Sequence, residues 1–214
     1  MSSMRNPVAN TAPTPTAPVS GSPNTSGSNK GVQLSSTAAL RERARKSIDE
    51  GAVTPSYAAD RDAVIEILNN SLATELVCVL RYKHHYYIAE GLPAEAIKQE
   101  FLEHANEEQA HADLLAERIV QLGGNPNFNP SGLAERSHAE YGGEHTSLID
   151  ILRDDLIAER VAIEAYSEAI RYIGDNDTTT KRMLEGILAV EEEHAEELSS
   201  MLKNLGQWKN GNNK

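Results

Sequence analysis

Residues 108–115 read EQAHADLL and residues 191–198 read EEEHAEEL. Both spell Glu-x-x-His-Ala-x-x-Leu. In a helix, side chains three apart share one face, about a turn from each other. Each octet therefore aims one carboxylate and one imidazole at a common point, a donor pair that suits a first-row transition metal. The repeat extends upstream. Residues 75–82 read ELVCVLRY and residues 159–166 read ERVAIEAY, both Glu-x-Val with tyrosine seven positions after the glutamate. Glu75 precedes Glu108 by 33 residues and Glu159 precedes Glu191 by 32. Each half thus carries a lone glutamate, a reversal of the chain, and a Glu-x-x-His pair.

Four long segments carry these residues, with apolar positions three and four apart and glycine at their ends. They run from about Tyr57 to Glu90 before Gly91, from Pro93 to the Gly123-Gly124 pair, from after Thr146 to Gly174, and from Asp177 or Thr178 to Gly206. A 30-residue helix is roughly 45 Å long, and four such helices bury their apolar stripes economically only as a bundle. Short links make each half an antiparallel hairpin. Between the halves lies GGNPNFNPSGLAERSHAEYGGEH, long enough to cross the whole bundle. Two hairpins with one long crossover define a ferritin-like four-helix bundle, an all-α fold expected over residues 57–206.

That topology brings Glu75, Glu108, His111, Glu159, Glu191 and His194 together at mid-bundle. Burying four carboxylates without a cation is strongly unfavourable, through desolvation and mutual repulsion. Two divalent ions would bring the net charge near zero.

Outside the bundle, residues 1–35 are mostly Ser, Thr, Pro, Asn, Gly and Ala and read as a disordered tail. Residues 36–56 should form a short helix and linker, with Ser36 or Thr37 as N-cap and Gly51 past the end. Arg41–Lys46, RERARK, is the basic cluster; it reads as a solvated face or a docking point for DNA or a neighbouring subunit. Residues 207–214 read as a tail. The net charge of −12 argues against a surface that coats nucleic acid. The lone Cys78 excludes an intrachain disulfide and fits a reducing cytoplasm. The first 20 residues lack the apolar core of a secretory signal. No run approaches the ~18 apolar residues of a membrane span.

At the repeated residues the chain resembles the bacterioferritins and related ferritin-like di-iron proteins, over about residues 57–205. The resemblance implies that Glu75 and Glu159 are terminal carboxylate ligands, Glu108 and Glu191 bridging carboxylates, and His111 and His194 terminal imidazoles. It implies that Tyr82 stands beside the metals, and that the centre oxidises Fe(II) with O₂ or H₂O₂ to feed a ferric mineral inside a hollow homo-oligomer. Where bacterioferritins have a haem-binding methionine after the second-helix glutamate, this chain has Gln109, so haem is not expected. Without a fifth helix after Gly206, the 12-subunit shell of Dps-like miniferritins is favoured over a 24-subunit one. With Cys78 alone, the cysteine pair of some Dps-like proteins is excluded. The alternatives are another di-metal oxidoreductase on the same bundle, manganese catalase-like or rubrerythrin-like, and a DNA-binding stress-protection shell. Manganese suits the same donors. A rubrerythrin would bring paired cysteines that this chain lacks.

Several residues nearby read two ways. Tyr86 is a packed core tyrosine or an electron relay. His104, a turn before Glu108, is a hydrogen-bonded core histidine, an outer partner of the site or an extra ligand. His84 and His85 fall off the metal face and read as surface residues. Glu103 and Glu107 read as an acidic pair on the other side of their helix, solvated or guiding iron. Cys78 reads as a small buried residue.

Overall fold

The computed structural model describes residues 33–91, 94–143 and 147–211, with side chains to residue 206. The chain divides after Ser36, and of the first unit only residues 33–36 are described, exposed and without regular structure. The expected disordered tail otherwise lies outside the described residues, as does Pro93.

The described chain holds no strand. Its helices are α1 (Thr37–Arg43), α2 (Arg61–Ile88), α3 (Ala94–Gln121), α4 (Leu133–Arg136), α5 (Leu148–Ile173) and α6 (Thr178–Gly211). Three of the four long ones, α2, α5 and α6, start where side chains can satisfy orphan amides. Asp60 accepts from the Ala63 amide at 3.2 Å, Ser147 from Asp150 at 3.2 Å, and Asp177 from Thr180 at 2.9 Å. The α2–α3 and α5–α6 pairs pack most extensively, as the two hairpins require.

The crossover climbs α2. Asn69 accepts from the Asn127 amide at 2.8 Å, the Thr74 hydroxyl meets both His138 Nδ1 and its amide at 2.9 Å, and Arg81 Nε donates to the Tyr141 carbonyl at 3.0 Å. From Asn69 to Arg81 the helix rises about 18 Å at its ~1.5 Å per residue. Gly124 starts this climb in close contact with the bundle. A Cβ there would meet Ile65 Cγ2 at 2.8 Å and Ile119 Cγ2 at 2.9 Å.

Two apolar clusters fill the bundle. One gathers Leu68, Leu72, Leu115, Ile119, Ile173, Leu184 and Ile187 among others. The other gathers Ile97, Phe101, Ala105, Ile151, Leu152 and Leu198. The buried carboxylates lie in the sequence between them, so the polar mid-section is closed from water at both ends.

Four expectations need correction. The short N-terminal helix breaks after Arg43; a separate 3₁₀ turn, Ile48–Glu50, precedes Gly51. Tyr57 lies before α2 and donates to Asp177 Oδ2 at 2.9 Å, so Arg61 opens the helix instead. The last helix continues through Gly206 to Gly211, because one glycine costs a helix only about 1 kcal/mol. Finally, α2 contains an 18-residue window apolar enough for a membrane span, contrary to the expectation. More than half of that window is buried within the bundle, as in the core helix of a folded domain.

Candidate metal centre

All six residues of the repeated constellation are buried and meet between the four long helices. Glu75 comes from α2, Glu108 and His111 from α3, Glu159 from α5, and Glu191 and His194 from α6. They form two groups whose ligand atoms lie within 4.8 Å of one another: Glu75, Glu108, His111 and Glu191, and Glu108, Glu159, Glu191 and His194. Glu108 and Glu191 belong to both. Each gives one oxygen to each imidazole. His111 Nδ1 is 3.5 Å from Glu108 Oε2 and 2.9 Å from Glu191 Oε1. His194 Nδ1 is 3.5 Å from Glu108 Oε1 and 3.7 Å from Glu191 Oε2. Glu75 lies 3.4 Å from His111, and Glu159 lies 3.9 Å from His194.

These atoms are close without being hydrogen-bonded. Glu75 Oε2, Glu108 Oε1, Glu159 Oε2, both Glu191 oxygens, His111 Nδ1 and His194 Nδ1 are buried with no hydrogen-bond partner. Buried polar groups are normally paired. Donor atoms that converge on shared points instead of on each other fit metal ions, and carboxylate with imidazole fits iron or manganese.

Without a cation, the cluster holds protons. Burial, then repulsion from Glu191 and Glu75, pushes the Glu108 carboxyl well above its usual range. Burial and Glu191 do the same to Glu159. Burial works against a charged His111, but the facing carboxylates of Glu108, Glu191 and Glu75 hold it up at about 12. His194 is likewise held up at about 9 despite burial, chiefly by Glu191 and Glu159. Burial opposes ionised Glu191, yet the two imidazoles hold it down at about 2.

Two tyrosines flank the cluster in a crossed pattern. Tyr82 donates to Glu159 and Tyr166 donates to Glu75, each reaching the other hairpin. Tyr166 was visible only as the second tyrosine of the upstream repeat; its role needed the fold. The structure also moves two acidic side chains to the site. Glu107 meets His194 Nε2 at 2.7 Å, and Glu197 meets His104 Nε2 at 2.9 Å. Glu107 therefore does not lie on the side of its helix away from the site, contrary to the sequence reading. With Glu100, Glu103, Glu193, His104 and His194 these two line a small cavity of about 120 Å³.

His85 is likewise misplaced by periodicity. It is buried, with Nδ1 2.8 Å from Asp155 Oδ1. That partner sits four residues before Glu159 in another helix, and nothing local announces it. His84 is exposed and Tyr86 half-buried against the second apolar cluster. Cys78 is buried beside Ala139 and Ala158. Glu103 is exposed on the cavity rim, and the Gln109 amide donates to Asp113 at 3.0 Å. Arg41–Lys46 is largely exposed, with Lys46 3.7 Å from Glu42.

A four-helix bundle with paired Glu-x-x-His helices and two lone glutamates is the architecture of the di-metal carboxylate proteins. The ferritin-like domain family matches residues 65–207, and the chain belongs to that family. It is 32% identical to a bacterioferritin of Desulfovibrio desulfuricans over 152 residues, covering 69% of this chain and 80% of that protein. It is 32% identical to a nutrient stress-induced DNA-binding protein of Nostoc over 142 residues, 65% and 77% of the two chains. Among solved structures it resembles the dodecameric thioferritin, a bacterioferritin-related protein of Bacteroides fragilis. There the TM-score is 0.70 at 31% identity, over 72% of this chain and 92% of that one. Dps from Thermosynechococcus elongatus shares the fold, with TM-score 0.64 at 19% identity over 66% and 90% of the two chains. The family binds iron, and the buried donor groups of this chain are of the kind that hold it.

Proposed function

We propose that the protein is an iron-storage and detoxification ferroxidase, oxidising Fe(II) with O₂ or H₂O₂ at an intrasubunit di-iron centre. The observation that carries this reading is the sharing of Glu108 and Glu191 between two donor groups, one oxygen toward each imidazole. Glu75 and His111 complete one position; Glu159 and His194 complete the other. Two ferrous ions taken up there would each supply one electron to a single oxidant molecule, reducing O₂ to peroxide or H₂O₂ to water.

The chain's own residues set the conditions. Glu108 and Glu191 would serve both positions, and Glu75 and Glu159 one position each. Tyr166 and Tyr82 hold the latter two carboxylates in place. Burial pushes both phenols well above their ordinary range, so they remain neutral donors. Glu107 fixes the His194 ring by its outer nitrogen, leaving Nδ1 facing inward. The apolar clusters on either side keep bulk water from competing for open positions.

Mineral storage requires a hollow assembly, and a homo-oligomeric shell of 12 subunits is the form we propose. Its support is the dodecameric assembly named for the Bacteroides relative. The DNA-binding name of the Nostoc protein has less to rest on here. The net charge is −12, and the basic cluster is short.

Aerobic addition of Fe(II) should give rapid ferric absorbance, slowed to the uncatalysed rate in Glu108→Ala and His194→Ala. Equal rates in wild type and both variants would end the ferroxidase reading. Metal analysis of protein purified without added iron separates iron from manganese. Imaging of iron-loaded particles should show closed shells with mineral; a stable monomer or dimer would remove storage and leave the centre.

A further inference from the structure

We propose that Glu107 makes the two metal positions unequal, orienting His194 so that the Glu159–His194 position takes the first of two divalent ions. The inference rests on the di-metal reading above and concerns the order in which that centre fills.

The two imidazoles are alike on their inner side and differ on their outer side. Both turn Nδ1 toward Glu108 and Glu191. His194 Nε2 also meets Glu107 Oε2 at 2.7 Å, and its side chain is 2% exposed. The His111 side chain is 7% exposed, and among the described residues its carboxylate contacts are all made through Nδ1. A carboxylate on the outer N–H of an imidazole fixes its tautomer and direction and makes the inner nitrogen a better metal donor. The polar contacts of His111 are those that an ion would replace. His194 keeps its contact with Glu107 when the inner nitrogen is used, so less order has to be created on binding.

The face of the His194 ring is held as well. His104 stacks on it with centroids 4.0 Å apart and planes 21° apart, while Glu197 engages His104 Nε2 at 2.9 Å. Rings stacked in this way cannot aim their in-plane lone pairs at one ion, so His104 steadies His194 and is not a ligand beside it. His104 is 1% exposed, and its own Nδ1 is buried without a hydrogen-bond partner. Its place is set by the stack, by Glu197 and by the Tyr82 ring, edge-on at 5.1 Å.

The repeat isolates the difference. Immediately before the ligand glutamate stands Glu107 in one half and Val190 in the other. Four residues before it stand His104 and Ile187. Val190 is half-buried and Ile187 belongs to an apolar cluster, and neither side chain can accept a hydrogen bond from His111. The near two-fold symmetry of the six proposed ligands therefore ends at the outer nitrogens.

The test titrates metal-free full-length protein with Co(II) and follows ligand-field absorbance. Wild type should bind two ions per chain in two resolved steps. His194→Ala should abolish the tighter step and His111→Ala the weaker one. Glu107→Ala should weaken the tighter step by about 10–100-fold and leave the other unchanged. The Glu107 side chain is 45% exposed, so its removal opens no buried cavity. Glu107→Gln keeps a hydrogen-bond acceptor without the charge and should weaken the same step less. A role for Glu107 in the fold alone would weaken both steps together, and that result would overturn the proposal. So would a single unresolved step in wild type, unchanged steps in Glu107→Ala, or loss of the tighter step in His111→Ala. Failure of the underlying reading looks different: wild type would bind no pair of ions, or Glu108→Ala would leave both steps intact.

Discussion

Tyr82 and Tyr166 show how single residues tie the two halves of the repeat together. Each donates to the terminal glutamate of the opposite hairpin, so each holds a side chain it could not reach in an isolated helix pair. Removing one hydroxyl leaves a buried carboxylate oxygen without its donor, at about 1–3 kcal/mol. Tyr82→Phe should therefore disturb the Glu159–His194 position, and Tyr166→Phe the Glu75–His111 position. Co(II) titration of the two variants checks this: each should weaken a different step. If both weakened the same step, the crossed assignment would be wrong. The His85–Asp155 pair makes the same point in a residue the sequence misplaced. Helical periodicity put His85 at the surface, but an acidic partner from α5 compensates its burial.

At the scale of elements, the start of α6 is held by a knot of polar groups around Asp177. Arg118 Nη2 donates to both its carboxylate oxygens at 3.0 Å, Thr180 donates from backbone and hydroxyl, and Tyr57 closes the group from the linker before α2. Burial raises the Tyr57 phenol, and donation to Asp177 raises it further, to about 12. The same carboxylate thus caps α6, pairs with α3 and anchors the linker. Asp177→Ala leaves Arg118 buried without its carboxylate, held only by Thr180 and Gln121, and should cost about 3–5 kcal/mol. Denaturant unfolding measures it, and a loss under about 1 kcal/mol would mean the cap alone matters. Gly124 is the other structural stop. Gly124→Ala must push Ile65 and Ile119 apart and should cost about 1–3 kcal/mol as overpacking. The same unfolding measurement tests it, and a neutral result would show that the crossover can shift away.

For the whole molecule, the proposed centre is a burden on the fold until it is filled. The His194 proton stabilises the metal-free fold fully below the free imidazole value of 6.5, and that contribution is lost as pH rises through about 9. The raised His111 acts in the same direction at higher pH. Glu108 and Glu159 hold protons in the fold that the unfolded chain releases above about 4.5, so they too lower stability as pH rises. Glu191 acts oppositely: its contribution is present above 4.5 and is lost as pH falls through about 2. Metal-free protein should therefore melt at lower temperature at about pH 9 than at about pH 6. Saturating Zn(II) should raise the melting temperature at both and flatten the difference. Calorimetry of the two forms decides it; a flat metal-free profile would show that the cluster does not retain those protons. By the same reasoning, Glu159→Gln should raise the metal-free melting temperature while removing the gain from Zn(II).

The sequence by itself determined the helices, their order, and the six residues expected to converge. Those features are written in local periodicity and in two matched spacings, and a helix preserves such spacings whatever surrounds it. The same local rules misjudged Gly206, where one glycine is too small a cost to end a helix. They also misjudged Tyr57, which a distant carboxylate draws out of α2. Only the tertiary structure decided the crossed tyrosines, the burial of His85, the arrival of Glu107 at His194 and the unmatched nitrogen of His104. Each depends on which atoms of separate helices meet after packing. The octets specify which faces converge, but hydrogen-bond partners and leftover lone pairs exist only once the four helices are in register.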